Sequence, residues 1–347
     1  MARVKTTLIT SSRPGIFLAT AGEKARSLHM PRILSATLGL LFIANGAACS
    51  TPPPAIATDI AGWHGPVTAG RITHETINEA SGLAPSHRTA GLLWINNDSG
   101  GEPVLYAVNT DGTYRGAVRI NGAVNYDWED VASYEIDGRS YLIAADVGDN
   151  YAQRAECVLY VIAEPDPAEL DPAAELTVDP VRVIRYVYPG GPRDCENVAV
   201  DVAERTIYVV SKRTKPPVAY RLPLEPPSTD APVTVELVGD VNGIPEPTGP
   251  IAMLETTWGK YRAMPCSFDI TPDGRHAVLL SYGEPYLYER RDGGSWAEAF
   301  ARDGVQLGSH GLPQAEGVCF SPDGRIIYVV TEGTPAPLLT YTLTDTP

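Results

Sequence analysis

A recurrence constrains this chain more than any other feature. Five short runs share one pattern: Glu79-Ala80-Ser81-Gly82-Leu83, Trp128-Glu129-Asp130-Val131-Ala132, Cys195-Glu196-Asn197-Val198-Ala199, Cys266-Ser267-Phe268-Asp269-Ile270 and Ala315-Glu316-Gly317-Val318-Cys319. Four of the five carry a leading Glu, and the starts at residues 79, 129, 196, 266 and 316 lie 50, 67, 70 and 50 residues apart. A unit of this length cannot bury a hydrophobic face alone, and stacking such units as blades around an axis solves the problem.

Within each unit the order repeats: a short strand, a turn, a β-branched or aromatic strand, a polar gap, and a third strand that often carries Tyr. The turns are explicit in Thr271-Pro272-Asp273-Gly274-Arg275 and Ser321-Pro322-Asp323-Gly324-Arg325, where Pro presets φ and Gly supplies positive φ. Outer strands are expected over 114–120, 181–187 and 233–238. The last unit lacks one, and 67–72 is expected to supply it from the other end of the chain, so that no sheet edge is left open. The fold class is therefore all-β, a single propeller of five blades, with six as the alternative if 239–264 hides another sheet. No long amphipathic helical pattern competes with this.

The formal net charge is −15, yet residues 1–32 hold six basic groups and one acid, so the remainder carries −20. A body of that charge repels nucleic acid and anionic lipid and favours cations. Residues 33–44, ILSATLGLLFIA, follow Met30-Pro31-Arg32 and precede small residues and Cys49, the layout of an export signal. The expected organisation is an extension and signal over 1–48 with Met30 as the true start, a Ser/Pro/Ala tether over 49–64, and the propeller over 65–347. Cys49 resembles the lipid-modified cysteine of bacterial lipoproteins, although Gly46 stands where an aliphatic residue is usual, so anchoring and simple release both stay open. The membrane is then reached only through a lipid on Cys49, and the body is expected to be monomeric.

Four further cysteines allow two disulfides in an exported chain. Cys195 and Cys266, at corresponding points of successive units, are the preferred pair, and for Cys157 and Cys319 buried free thiols are the alternative to a bridge. No zinc-type Cys/His spacing is present.

Several runs look familiar together: Asn97-Asp98-Ser99-Gly100, Trp128-Glu129-Asp130, Val147-Gly148-Asp149-Asn150, 188–194 ahead of Glu196, Val210-Ser211-Lys212-Arg213 and Gln314-Ala315-Glu316-Gly317-Val318. In that order, over about residues 75–345, they resemble a group of exported bacterial β-propeller proteins, mostly uncharacterised. More distantly the chain is similar to calcium-dependent gluconolactonase and phosphotriesterase propellers and to phytase-like esterase propellers. That resemblance implies the fold, whereas function has to be read from the site.

First strands line the channel of a propeller, so Glu79, Glu129 or Asp130, Glu196 and Glu316 are expected to form an acidic ring, completed by Ser267 or Asp269. Asn97, Asp98, Asp149, Asn150 and Lys212, at strand ends, are expected around the same mouth as ligand-binding groups. Carboxylates so close raise one another's pKa, and a hard cation such as Ca²⁺ supplies the compensation. Glu79, Glu129, Asp130, Glu196 and Glu316 are thus candidate Ca²⁺ ligands, and Glu129 and Glu196 the candidate catalytic carboxylates. Asp273 and Asp323 are expected only to form turns, and pairing with a ring carboxylate is the alternative to a ligand contact for Lys212.

Three readings follow. A divalent-cation-dependent hydrolase of esters, lactones or phosphoesters comes first, with a small-molecule substrate. A noncatalytic propeller that binds a small molecule or a protein, with a structural cation or none, is the alternative. A glycosidase ranks last, because no aromatic cluster accompanies the Glu runs.

Overall fold

The computed structural model describes residues 58–228 and 230–344. Residues 1–57, with the expected export signal, Met30 and Cys49, lie outside the described residues. Among those described, no helix is long and apolar enough to cross a membrane.

Five sheets, antiparallel but for one parallel outer strand in each of two of them, form the five blades of a β-propeller. Their innermost strands are Ala80–Pro85, Trp128–Ile136, Ala199–Asp201, Pro265–Ile270 and Ala315–Phe320, in blades one to five. Each inner strand touches those of both neighbouring blades, and the fifth touches the first, so the five line one axis. Residues 241–264 contain no strand, only the short 3-10 turn Gly249–Met253. The six-blade alternative is thereby removed.

Why the strands read as continuous apolar runs is evident from the packing. Both faces of each sheet are covered by a neighbour, and the buried apolar residues fall into five clusters, one per blade interface. Between blades one and two, for example, Trp94, Leu105 and Val118 meet Trp128, Leu142 and Ile162. Burying each such side chain contributes about 1.5–3 kcal/mol. The Tyr residues of the third strands, such as Tyr160, Tyr220 and Tyr286, sit in these interfaces as packing.

Three details depart from the sequence reading. The sheet of blade five begins at Thr58–Ile60, which pairs with Trp63–Ile72, so residues 58–64 belong to the body rather than to a tether. Trp63–Ile72 in turn runs antiparallel to Ala336–Leu343. The expected strand over 233–238 is divided: Val233–Thr234 adds in parallel to Arg182–Val187 of blade two, and Glu236–Asp240 is the outer strand of blade three. One residue, Val235, points its side chain into the core between these blades. Blade four has only Val305–Gln306 at its outer edge, and a helix, Trp296–Phe300, fills the interface instead. That helix is held by a capping box of Ser295 and Glu298.

Cys157, Cys195, Cys266 and Cys319 are all buried free thiols. Cys195 packs with Cys157 and Tyr186 between blades two and three, while Cys266 lies between blades four and five with its Sγ 3.1 Å from Ala315 O. Corresponding positions of neighbouring blades are thus separated by blade packing, and the expected Cys195–Cys266 bridge is absent.

Candidate functional site

A β-bulge sets the site. In four blades the inner ladder slips by one residue at its start, between Ala80 and Gly82, Trp128 and Asp130, Pro265 and Ser267, and Ala315 and Gly317. In blade three an isolated Cys195–Ser211 pair and the side chain of Asn197, bonded both ways to Val210, replace that part of the ladder. The extra residue of a bulge leaves the ladder and its side chain is re-aimed. The residues so placed are Ser81, Glu129, Glu196, Cys266 and Glu316.

This register corrects the expected ring. Glu79 precedes the inner strand of blade one and is exposed, and Ser81 occupies the position equivalent to Glu129. Asp130 stands one place deeper and is fully used: its Oδ1 accepts from Val131 N at 2.9 Å, its Oδ2 from Val198 N at 3.0 Å, and Ser267 Oγ donates to it at 3.2 Å. Val318 N donates to Ser267 Oγ at 3.0 Å, so Asp130 and Ser267 clasp blades two to five across the axis. Burial pushes the Asp130 carboxyl well above the ordinary range.

A second equivalent position contributes as much. The first residue beyond the second strand is Asp98, Val147, Tyr282 or Glu332 in four blades, and in blade three Lys212 follows the isolated Ser211 pair that extends the strand. Lys212 forms a buried ion pair with Glu196 and donates to Tyr282 Oη at 3.0 Å. Tyr282 Oη donates to Glu316 Oε1 at 3.0 Å, and Gln314 Nε2 to the same oxygen at 3.3 Å. Tyr282 and Glu332 escaped sequence reasoning, although both stand in the place that Asp98 and Lys212 fill in their own units.

The remaining acids converge on Asp98. Its carboxylate belongs to two groups of three, Asp98 with Glu316 and Glu332, and Asp98 with Asp127 and Glu129, whose oxygens lie within 4.8 Å of one another in each group. Asp127 is held from the backbone: its N donates to Asp146 Oδ1 at 3.1 Å, and its O accepts from Val147 N and Gly148 N. A Cβ on Gly148 would stand 2.3 Å from Glu129 Oε1 and 2.5 Å from Asp127 Oδ2, so glycine is what lets that loop close over the two carboxylates.

Crowding and burial set the protonation. Burial first, then the Glu316 charge, raises Asp98 to about 7. Burial lifts Asp127 to about 6 against the pull of Arg154, and drives Glu129 well above the usual range. Glu332 rises to about 9, through burial and then the charge and hydrogen bond of Glu316.

Other expected site residues serve the loops. Asp149 accepts from Gln153 N and Arg154 N, both at 2.8 Å. Asn97 Nδ2 donates to Thr76 O at 2.6 Å, and the exposed Asn150 accepts from Arg213. Asp269 accepts from Ile270 N and Phe320 N, both at 2.8 Å, and lies toward the opposite end of the channel. Asp273 and Asp323 close their turns as expected, accepting from Arg275 N and Arg325 N.

No protein-family model and no curated protein matches the chain. Its structural neighbours are gluconolactonase-like and other propeller proteins. A gluconolactonase from Xanthomonas campestris is 12% identical and aligns over 85% of this chain and 99% of its own, with a TM-score of 0.43. A luciferin-regenerating enzyme is 11% identical over 80% and 95%, with a TM-score of 0.38. The PQQ-bound aldose sugar dehydrogenase of Streptomyces coelicolor is 11% identical over 84% and 99%, with a TM-score of 0.40. Likenesses of this size carry no argument about activity, and the chemistry has to be read from the carboxylates themselves.

Proposed function

We propose that the protein is a divalent-cation-dependent hydrolase of esters, lactones or phosphoesters, with its active centre at the Asp98 mouth. The observation that carries this is the sharing of Asp98 between two carboxylate groups. Lys212 neutralises Glu196. The five other carboxylates are left facing one another, with Tyr282 and Gln314 as the donors to Glu316. An all-oxygen donor set suits a hard cation, and Ca²⁺ is the natural occupant outside a cell.

In this reading Asp98, Asp127 and Glu129 hold the cation, Gly148 leaving the room they need. When bound, the cation would supply Lewis-acid polarisation of a carbonyl or phosphoryl oxygen. The partly exposed Glu332, hydrogen-bonded to Glu316, carries a proton to or from the reacting oxygen as general acid and base. Tyr282, fixed by Lys212, holds Glu316 in place for that exchange. Glu196 is a counter-ion here, in contrast to the catalytic role expected of it.

The experiment is to strip the purified protein with chelator and follow its melting temperature during a Ca²⁺ titration. Then lactones, aryl esters and phosphotriesters are tested for Ca²⁺-dependent hydrolysis. A saturable rise, at about 2.7 kcal/mol for a hundredfold excess over Kd, with turnover lost in Glu129→Gln, is the expected result. A rise without turnover of any of these substrates would favour a noncatalytic binding propeller, and no rise would discard the cation. Export belongs to the same proposal, and an N-terminal peptide of the mature chain beginning at or after Cys49 is its check.

A further inference from the structure

The Asp130–Ser267 clasp separates the carboxylate mouth from a second cavity at the far end of the channel. Its volume is about 370 Å³, within the range of small-molecule sites. All five blades contribute to its wall, where the inner strands end, and the groups that matter are Asp269, Ser133, His87, Glu135, Phe320 and Val202.

We propose that this cavity binds a small organic ammonium ion, with the Asp269 carboxylate as its counter-ion and Ser133 Oγ as a second acceptor. The two acids of the wall, Asp269 and Glu135, are joined by no Lys or Arg among the described lining residues. Each Asp269 oxygen takes a single backbone N–H, from Ile270 or Phe320, and a carboxylate oxygen accepts two. Ser133 Oγ is shielded from solvent and has no hydrogen-bond partner in the protein, a costly arrangement that a donor from a ligand relieves. His87 does not oppose a cation, because burial lowers its pKa and favours the neutral ring. Phe320 adds an aromatic wall suited to an ammonium and its alkyl or aryl stem. A divalent metal is the poorer occupant, since Asp269 belongs to no group of three donors among the described residues.

The test is calorimetric titration of the full chain with benzylammonium chloride, and with benzyl alcohol as the neutral counterpart, in saturating Ca²⁺. One ammonium is expected to bind, with no binding of the alcohol. Asp269→Asn should weaken binding about tenfold or more, as loss of a charge-assisted hydrogen bond does. Because Asp269 also accepts from the backbone of two strands, Val202→Trp gives a second variant that fills the cavity and leaves those hydrogen bonds intact; it should abolish binding. Glu129→Gln, at the other mouth, should leave the ammonium affinity unchanged. Absence of ammonium binding, equal binding of the alcohol, or a loss caused by Glu129→Gln but not by Val202→Trp would overturn the assignment.

Discussion

The two ends of this channel differ although the same five strands build both. At the Asp98 mouth, bulges and strand-end loops turn carboxylates toward one another, and few backbone N–H groups reach them. At the far mouth the strands run out in tight turns, and each Asp269 oxygen is held by one backbone N–H, which fixes the carboxylate and leaves it room for a further donor. The difference shows that an acid's neighbours, more than its place in the repeat, decide whether it serves the fold or remains open to a ligand.

The largest effect is expected at the ion pair that walls off the first mouth. Lys212→Met leaves Glu196 charged and buried, and should cost about 3–5 kcal/mol in urea unfolding. Adding Glu196→Gln should recover most of that loss. A single variant as stable as the parent would show that the pair contributes nothing.

Next, Glu129→Gln should act with opposite signs according to the cation. In chelator it removes one of the crowded carboxylates and should stabilise by about 1 kcal/mol; in Ca²⁺ it should erase the added melting temperature. A variant destabilised in both conditions would make Glu129 a structural residue, like Asp130.

Proton linkage separates the two mouths further. Asp98, Asp127 and Asp269 have folded-state values of about 7, 6 and 7, all above the ordinary aspartate value, so the folded state binds more protons than the unfolded chain. Their contribution is full below roughly pH 4 and lost as pH rises to about 7. Metal-free protein should therefore lose stability over that window in urea titrations at successive pH values. Saturating Ca²⁺ should remove the share of Asp98 and Asp127 and leave that of Asp269. At the acid end exposed carboxylates held low by partners, such as Glu225 beside Arg205, act with the opposite sign. A slope that Ca²⁺ leaves untouched would place the titrating groups away from the Asp98 mouth.

The smallest effect concerns the thiols. Reductant should not shift the melting temperature, and Cys157, Cys195, Cys266 and Cys319 should react with a thiol reagent only after denaturation. A shift under reductant would bring back a disulfide.

Much of this was legible along the chain because the interactions behind it are local. Turn chemistry at Pro272-Asp273-Gly274 and Pro322-Asp323-Gly324, and strands such as 326–331, carry their own signals. Alignment by Glu failed only where it had no support from the ladder: a bulge moves the inward position by one place, and Glu79 looked equivalent to Glu129 when Ser81 is. Glu332 and Tyr282 were hidden by neither rarity nor distance from a motif. Their repeat position, at the end of the second strand, is the one the sequence reading gives to Asp98 and Lys212, and it can be followed through every unit.

Composition, fivefold repetition and turn residues by themselves determined an all-β propeller, because each blade's strands and turns are specified within about fifty residues. Only the tertiary structure decided which acids meet. Asp98 and Glu332 come from blades one and five, far apart in sequence, and they approach because the ring of inner strands brings the fifth blade beside the first. Their closeness, like that of Asp98 to Asp127 and Glu129 of blade two, follows from interblade packing and bulge register, which no local run of residues encodes.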